Sequence, residues 1–239
     1  MSNRPAALLS ATFWEPGYEH LVELVHQRDA KAIRHLASLD FALYDETGKE
    51  LASLPQDAAR EILDLDRLVR DVAGVDRRVM VLFDARFDER IFPYRPHHYA
   101  YLHRRGSSTP ALYYAVNAVL GGERHRIHTT GTVGHNNFET YVFRATAFDE
   151  RYSVLLGNPA RFSTVEAEVT LHYERDRDTR GVTLAPKAHV EVDLPAEYQG
   201  QRLRRVEAKG LSRLASYVVG RRAGSGDLVL FDHLFRYFM

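Results

Sequence analysis

Val165-Glu-Ala-Glu-Val-Thr-Leu-His-Tyr173 is the stretch that decides the fold, because its apolar and polar residues alternate. Successive side chains of a β-strand point to opposite faces of the sheet, so this period of two predicts a half-buried strand. The same alternation returns in His189-Val-Glu-Val-Asp-Leu194. The 13 tyrosines and 12 phenylalanines of the chain suit the pleated surface of a sheet. We therefore expect a chain built largely from short strands.

Turn residues elsewhere favour the same fold class. Asp45-Glu-Thr-Gly48, between Leu43 and Leu51, is typical of a hairpin, in which Gly allows a positive φ and Asp hydrogen-bonds the backbone ahead. Pro55 and Pro186 precede further apolar runs, at points where a chain leaves one sheet for another. Many short strands with turn signals roughly every 8–12 residues indicate a sandwich or a barrel.

The segment 57–70 is the strongest competitor for a helix, because Asp57 could cap it and apolar residues follow at helical spacing. Its similarity to a strand in the second half of the chain favours a strand over residues 60–65. At most a short turn of helix is then expected over residues 66–72, which leaves the chain mainly β.

The two halves of the chain contain similar stretches in the same order, which is the pattern of an internal repeat. The clearest match places Tyr99-Ala-Tyr-Leu-His-Arg-Arg105 beside Ser216-Tyr-Val-Val-Gly-Arg-Arg222, each followed by a polar turn and a second apolar run. Further matches pair residues 41–48 with 169–181, 62–65 with 191–194, and 20–25 with 151–156.

A competing register pairs Leu82-Phe-Asp84 with Leu230-Phe-Asp232. The first register keeps more elements in order and adds an insertion near Phe87 in the first copy. It predicts two tandem β-sandwich units that arise from internal duplication. We expect a first unit over residues 1–118, a His-rich linker over residues 119–138, and a second unit over residues 139–239.

The second copy also resembles a known family, the bacterial immunoglobulin-like β-sandwiches related to the sensory-rhodopsin transducer. The resemblance lies in Leu155-Leu-Gly-Asn-Pro159, Ala167-Glu-Val-Thr-Leu-His-Tyr173, Val182-Thr-Leu-Ala-Pro186 and Val190-Glu-Val-Asp-Leu194. It spans residues 150–235 and is a similarity of pattern. It implies an immunoglobulin-like sandwich that serves as a binding or interaction module, without catalytic residues.

Composition excludes several classes of protein. The 239 residues fit one large domain or two of about 100–120 residues. Lys plus Arg and Asp plus Glu both number 32, which argues against a dedicated binder of nucleic acid or of anionic membranes. Cysteine is absent, so disulfides and Cys-based sites are excluded. No signal-peptide core or membrane-spanning run is recognised, and we expect a cytoplasmic protein.

The segment between the copies holds three histidines and a carboxylate within 15 residues: His125, His128, His135 and Glu139. Imidazole is a common ligand of transition metals, so these four residues are a candidate site for a divalent transition metal. Their spacing matches no standard metal motif. A solvated linker and a non-metal ligand site are the alternatives.

A second candidate site lies on the strand Tyr94-Arg-Pro-His-His-Tyr-Ala-Tyr-Leu-His103. Alternation places Tyr99, Tyr101 and His103 on one face and His98 on the other. These three residues, with Arg104 and Arg105, form either a ligand-binding face that stacks a sugar or a base, or a cross-strand aromatic ladder with edge charges.

No nucleophile elbow, phosphate-binding loop or dinucleotide motif occurs. The leading hypothesis is therefore a non-enzymatic binding or interaction protein that uses loops and the aromatic, His-rich face of the first unit to bind a small molecule or a protein. A metal-dependent enzyme with the His125–Glu139 site is one alternative. A structural protein that forms homo-oligomers is another, because the apolar C-terminal tail is either a final strand or a docking surface.

Overall fold

The computed structural model describes residues 6–23, 36–55, 62–87, 98–108, 110–118, 137–147, 149–210 and 214–236. The chain divides into two compact units, Met1–Gly121 and Gly122–Met239. Nearly all of the regular structure is antiparallel β-sheet, which confirms the expectation of a mainly β chain.

The described residues of the first unit form nine strands in two sheets. They are β1 (Ala6–Trp14), β2 (Tyr18–Glu23), β3 (Leu36–Tyr44), β4 (Glu50–Pro55), β5 (Ile62–Asp64), β6 (Val79–Phe87), β7 (Tyr99–Arg104), β8 (Leu112–Ala115) and β9 (Asn117–Ala118). One sheet has the strand order β4-β3-β6-β1-β9, and the other has the order β5-β2-β7-β8.

The second unit contains eleven described strands. They are β10 (Asn137–Val142), β11 (Glu150–Gly157), β12 (Val165–His172), β13 (Arg177–Leu184), β14 (His189–Leu194), β15 (Glu197–Tyr198), β16 (Gln201–Arg202), β17 (Arg205–Gly210), β18 (Ala215–Arg222), β19 (Leu228–His233) and β20 (Phe235–Arg236). Its sheets have the orders β13-β12-β17-β10-β20 and β14-β11-β18-β19, and β15 and β16 form a small separate ribbon.

The stretch with strict alternation forms β12 as predicted. Val165, Ala167, Val169 and Leu171 are buried, whereas Glu166 and Glu168 between them are exposed. The buried residues belong to one hydrophobic cluster that also includes Val154 and Val218 of the four-stranded sheet. The inner faces of the two sheets of this unit therefore share one core.

The Asp45-Glu-Thr-Gly48 hairpin is confirmed between β3 and β4. Asp45 Oδ1 accepts hydrogen bonds from the backbone N–H groups of Thr47 and Lys49, both at 3.0 Å. Gly48 has a φ of 88°, a conformation that side chains with a Cβ rarely adopt. The Asp45 carboxylate thus stabilises the turn, and Gly48 adopts the positive φ that the turn needs.

The predicted strand and helical turn around residue 64 are also confirmed. After β5, helix α1 (Leu65–Leu68) continues as a π-helical turn over Val69–Ala73. The cap of this helix is Asp64, whose side chain accepts a hydrogen bond from the Arg67 N–H, and Asp57 lies outside the described residues. Asp64 caps because it ends a strand whose sheet already fixes its extended backbone.

The C-terminal tail provides strands β19 and β20. Leu228, Phe231 and Leu234 are each less than a tenth exposed. Of the two interpretations of the tail, the final-strand interpretation is confirmed for residues 228–236.

Candidate functional site

The outer face of the four-stranded sheet β5-β2-β7-β8 presents an aromatic surface. Strand register places Tyr99, Tyr101 and His103 of β7 on the same face as Tyr113 of β8. Glu19, Leu21 and Glu23 of β2 and Ile62 and Asp64 of β5 share that face. We call these nine residues the tyrosine face.

The rings of the tyrosine face are ordered against one another. Tyr99 and Tyr113 lie parallel, with ring centroids 5.5 Å apart and an interplanar angle of 7°. Tyr101 and His103 stack along β7 at 6.4 Å. Tyr113 is 63% exposed and Tyr101 is 39% exposed, so a molecule in solution can contact both rings. Exposed aromatic groups that adjoin one another, unlike single exposed rings, often mark a binding surface.

The predicted division of residues between the two faces of β7 is confirmed. His98 is 1% exposed and lies 5.5 Å from the Phe83 ring, on the side opposite to Tyr99. Its backbone carbonyl accepts a hydrogen bond from the Val116 N–H. His98 is therefore an interior residue, whereas His103 lies 3.8 Å from the Glu19 carboxylate on the outside.

Arg104 and Arg105 lie at the end of β7 and not among the outward rings. Arg105 forms an ion pair with Asp66 of α1, and its backbone N–H donates to the Gly17 carbonyl. Along β7, Arg104 shares the side of Ala100 and Leu102 and so lies on the inner face of the strand. Of the five residues predicted to bind a ligand, the structure thus brings together Tyr99, Tyr101 and His103.

A groove of about 320 Å³ lies at the β5 edge of the tyrosine face. Ile62 and Asp64 belong both to the face and to the groove. The other groove residues come from β5, α1 and the π-helical turn: Leu63, Arg67, Leu68, Asp71 and Val72. Ile62 and Val72 are about half exposed, so the groove has an apolar floor open to solvent.

Charge on the tyrosine face is acidic. Among the outward positions of the described strands, Glu19, Glu23 and Asp64 carry carboxylates, and no Lys or Arg occurs. Asp71 adds a carboxylate at the groove, where it forms an exposed pair with Arg67 at 3.4 Å. An acidic aromatic surface repels phosphate backbones and attracts cations.

The corresponding sheet of the second unit has no such exposed surface in its described residues. The side of β11, β18 and β19 that points away from the core cluster carries Leu155, Tyr217, Val219 and Phe231. Each of these four side chains is at most 3% exposed. The exposed aromatic face is therefore a property of the first unit.

The candidate metal residues are only partly described. His125, His128 and His135 lie outside the described residues, and the metal site remains a prediction. Glu139 is 4% exposed in β10, where its carboxylate accepts a hydrogen bond from the Ser216 hydroxyl of β18. Within the described ranges, no three His, Asp or Glu side chains are grouped as a metal ion would need.

A buried set of hydrogen-bonded side chains crosses the interior of the first unit, and the sequence alone does not predict it. Tyr114 Oη lies 2.6 Å from Thr12 Oγ1 and 2.8 Å from His20 Nε2, which links β1 to β8 and β2. All three side chains are at most 3% exposed. Burial lowers the pKa of His20 to about 3, so its imidazole is neutral at physiological pH.

Sequence reasoning also missed Tyr113, Glu19, Glu23 and the groove. Tyr113 follows Leu112 in a short apolar run without clear alternation, and the sequence of β2 shows only its similarity to residues 151–156. Cross-strand pairing decides which residues join Tyr99 and Tyr101, and that pairing is a property of the sheet.

In the described part of the chain, no helix has the length and apolar character needed to cross a membrane. Comparisons with known proteins give no family for the chain. No protein-family model matches it, and no curated protein matches its sequence.

Proposed function

We propose that this chain is a cytoplasmic, non-enzymatic binding protein whose first unit contacts its partner through the tyrosine face. The observation that carries the proposal is the solvent exposure of Tyr101 and Tyr113 beside a groove with an apolar floor. Aromatic side chains supply large contact areas at low cost in conformational entropy, and they are enriched at binding hot spots.

The proposal includes an architecture of two immunoglobulin-like sandwiches related by internal duplication. The strand orders support it, because β4-β3-β6-β1-β9 becomes β13-β12-β17-β10-β20 when each strand is replaced by its counterpart. The second sheets, β5-β2-β7-β8 and β14-β11-β18-β19, correspond in the same way. An experimental structure in which the two units differ in strand order would contradict this part of the proposal.

The proposed duplication allows the exposed surfaces of the two units to be compared. Two copies of one sheet begin with the same chemistry, yet only the first exposes aromatic residues on its outer face in the described residues. Such a difference between copies favours a specialised surface over a general feature of the fold.

Labelled full-length protein applied to peptide and glycan arrays tests the proposal. We expect signals from the unmodified protein that the double variant Tyr101→Ala, Tyr113→Ala loses. The matched control is Phe162→Ala with Tyr198→Ala, which removes exposed aromatic rings from the second unit (80% and 42% exposed). Signals that survive in the tyrosine-face variant, or that vanish equally in the control, would overturn the proposal.

A further inference from the structure

We propose that the tyrosine face and its groove bind an extended peptide segment with two cationic side chains about four residues apart. The inference rests on the proposed function and names the chemistry of the partner. It depends on three observations: the charge of the face, the composition of the groove, and the distance between the groove and Tyr113.

The charge of the tyrosine face favours a cationic partner. The outward positions of the described strands hold Glu19, Glu23 and Asp64 and no Lys or Arg. Tyrosine rings attract ammonium and guanidinium groups through the negative potential of the ring face. Carboxylates beside such rings attract the same cationic groups. The face therefore favours Lys or Arg over neutral or acidic groups.

The groove has the composition that a lysine side chain needs. Ile62, Leu68 and Val72 offer apolar contacts for the four methylene groups, and Asp64 and Asp71 lie at the same groove for the ammonium group. The cap on α1 uses Asp64 Oδ1, through the Arg67 N–H at 3.0 Å. Asp71 pairs with Arg67, whose side chain is 80% exposed, so an incoming cation competes with a solvated partner.

Strand spacing sets the separation of the two cationic groups. The sheet order β5-β2-β7-β8 puts Tyr113 three strands away from the groove strand β5. Neighbouring strands are about 4.8 Å apart, so the distance across the sheet is roughly 14 Å. An extended chain advances about 3.3 Å per residue, and this distance corresponds to about four residues. Residues four apart in an extended segment point to the same side, so both side chains reach the face.

Fluorescence anisotropy with full-length protein tests the inference. The probe is a labelled Ser/Gly-rich peptide with Lys and Arg separated by three small residues. Matched peptides carry Gln at both positions, Glu at both positions, or Lys and Arg as direct neighbours. We expect the Lys/Arg peptide with the predicted separation to bind most tightly, and raising the salt concentration to weaken it.

Substitutions locate the binding on the face. Tyr113→Ala should raise the Kd of the Lys/Arg peptide about two- to fivefold, the loss expected for one exposed cation–π contact. The double variant Glu19→Gln, Asp71→Asn should raise it by a similar factor. The control Glu166→Gln, Glu168→Gln removes two exposed carboxylates of β12 in the second unit and should leave the Kd unchanged. All substituted side chains are exposed, and unchanged melting curves verify that the variants fold.

The outcomes separate this inference from the proposed function. Equal binding of the Gln and Lys/Arg peptides, or none at all, overturns the cationic partner. If array signals for another probe still depend on Tyr101 and Tyr113, the tyrosine face remains a binding surface. Peptide binding that responds to the β12 control and not to Tyr113→Ala overturns the assignment of this site.

Discussion

Tyr114 links strands β1 and β2 to β8 through its hydroxyl group. Its Oη contacts Thr12 Oγ1 and His20 Nε2, and all three groups are shielded from water. Removing one member of a buried polar set leaves the others without partners, which is more costly than the loss of an exposed hydrogen bond.

We therefore predict that Tyr114→Phe lowers the free energy of unfolding by about 1–3 kcal/mol, measured by urea denaturation. Tyr113→Phe is the matched control, because it removes the neighbouring hydroxyl from a ring that is 63% exposed. The control should change stability by less than about 0.5 kcal/mol. Equal effects of the two substitutions would show that the buried hydrogen bonds of Tyr114 add no stability.

His20 makes the stability of the chain depend on pH. Burial lowers its pKa from 6.5 to about 3, and the imidazole stays neutral in the folded protein. The unfolded chain takes up a proton below about pH 6.5, so acid favours unfolding between pH 6.5 and pH 3. The free energy of unfolding should fall by about 2 kcal/mol from about pH 7 to about pH 5 through this group alone.

Urea denaturation at several pH values measures this effect. His20→Gln removes the titrating group, and its pH dependence over the same range should be flatter than that of the unmodified protein. Tyr113→Phe is the control, because it changes an exposed side chain and removes no imidazole, so its pH dependence should match that of the unmodified protein. An unmodified protein that is equally stable at both pH values would contradict the assignment.

At the scale of elements, the connection between β11 and β12 is organised by one buried amide. Asn158 is fully buried, and its Nδ2 donates to the carbonyls of Ser163, Leu184 and Ala185, whereas its Oδ1 accepts from the Ala160 N–H. The side chain thereby fixes the loop against the end of β13. The sequence alone identifies only a polar turn at this position.

We predict that Asn158→Ala lowers the free energy of unfolding by about 1–3 kcal/mol, because several buried backbone groups lose their partner. Hydrogen exchange at the Ala160 amide should accelerate more than exchange in β12. Ser225→Ala, in the exposed turn between β18 and β19, is the control and should have little effect on either measurement. Unchanged exchange at Ala160 would contradict the role given to the amide.

Strand register offers a second residue-by-residue alignment of the proposed repeat. The sequence comparison pairs Arg104 with Arg221, yet Ala100 and Leu102 of β7 correspond by face to Val218 and Gly220 of β18. Arg104 then corresponds to Arg222. A gapless match of two Arg-Arg pairs cannot by itself choose between these registers, because residue identity does not reveal which face of a strand is buried. The register that pairs residues 82–84 with 230–232 would match β6 with β19, which lie in sheets of different strand order.

At the scale of the whole molecule, two units with corresponding strand orders differ in the surfaces they expose. The order of matched stretches along the chain predicted this correspondence for β2, β3, β5 and β7. It missed β1, because Ala11, Thr12, Phe13 and Trp14 are all buried and show no alternation. A strand covered on both faces gives no period-two signal.

The sequence by itself determined the mainly β character, the hairpin at Asp45 and the two faces of β7, because turn chemistry and alternation are local properties. Only the tertiary structure decided that the outer face of β5-β2-β7-β8 is exposed and acidic, and that His20, Thr12 and Tyr114 meet inside. Alternation divides a strand into two faces, but the packing of sheets decides which face meets water. The pairing of distant strands likewise decides which side chains become neighbours.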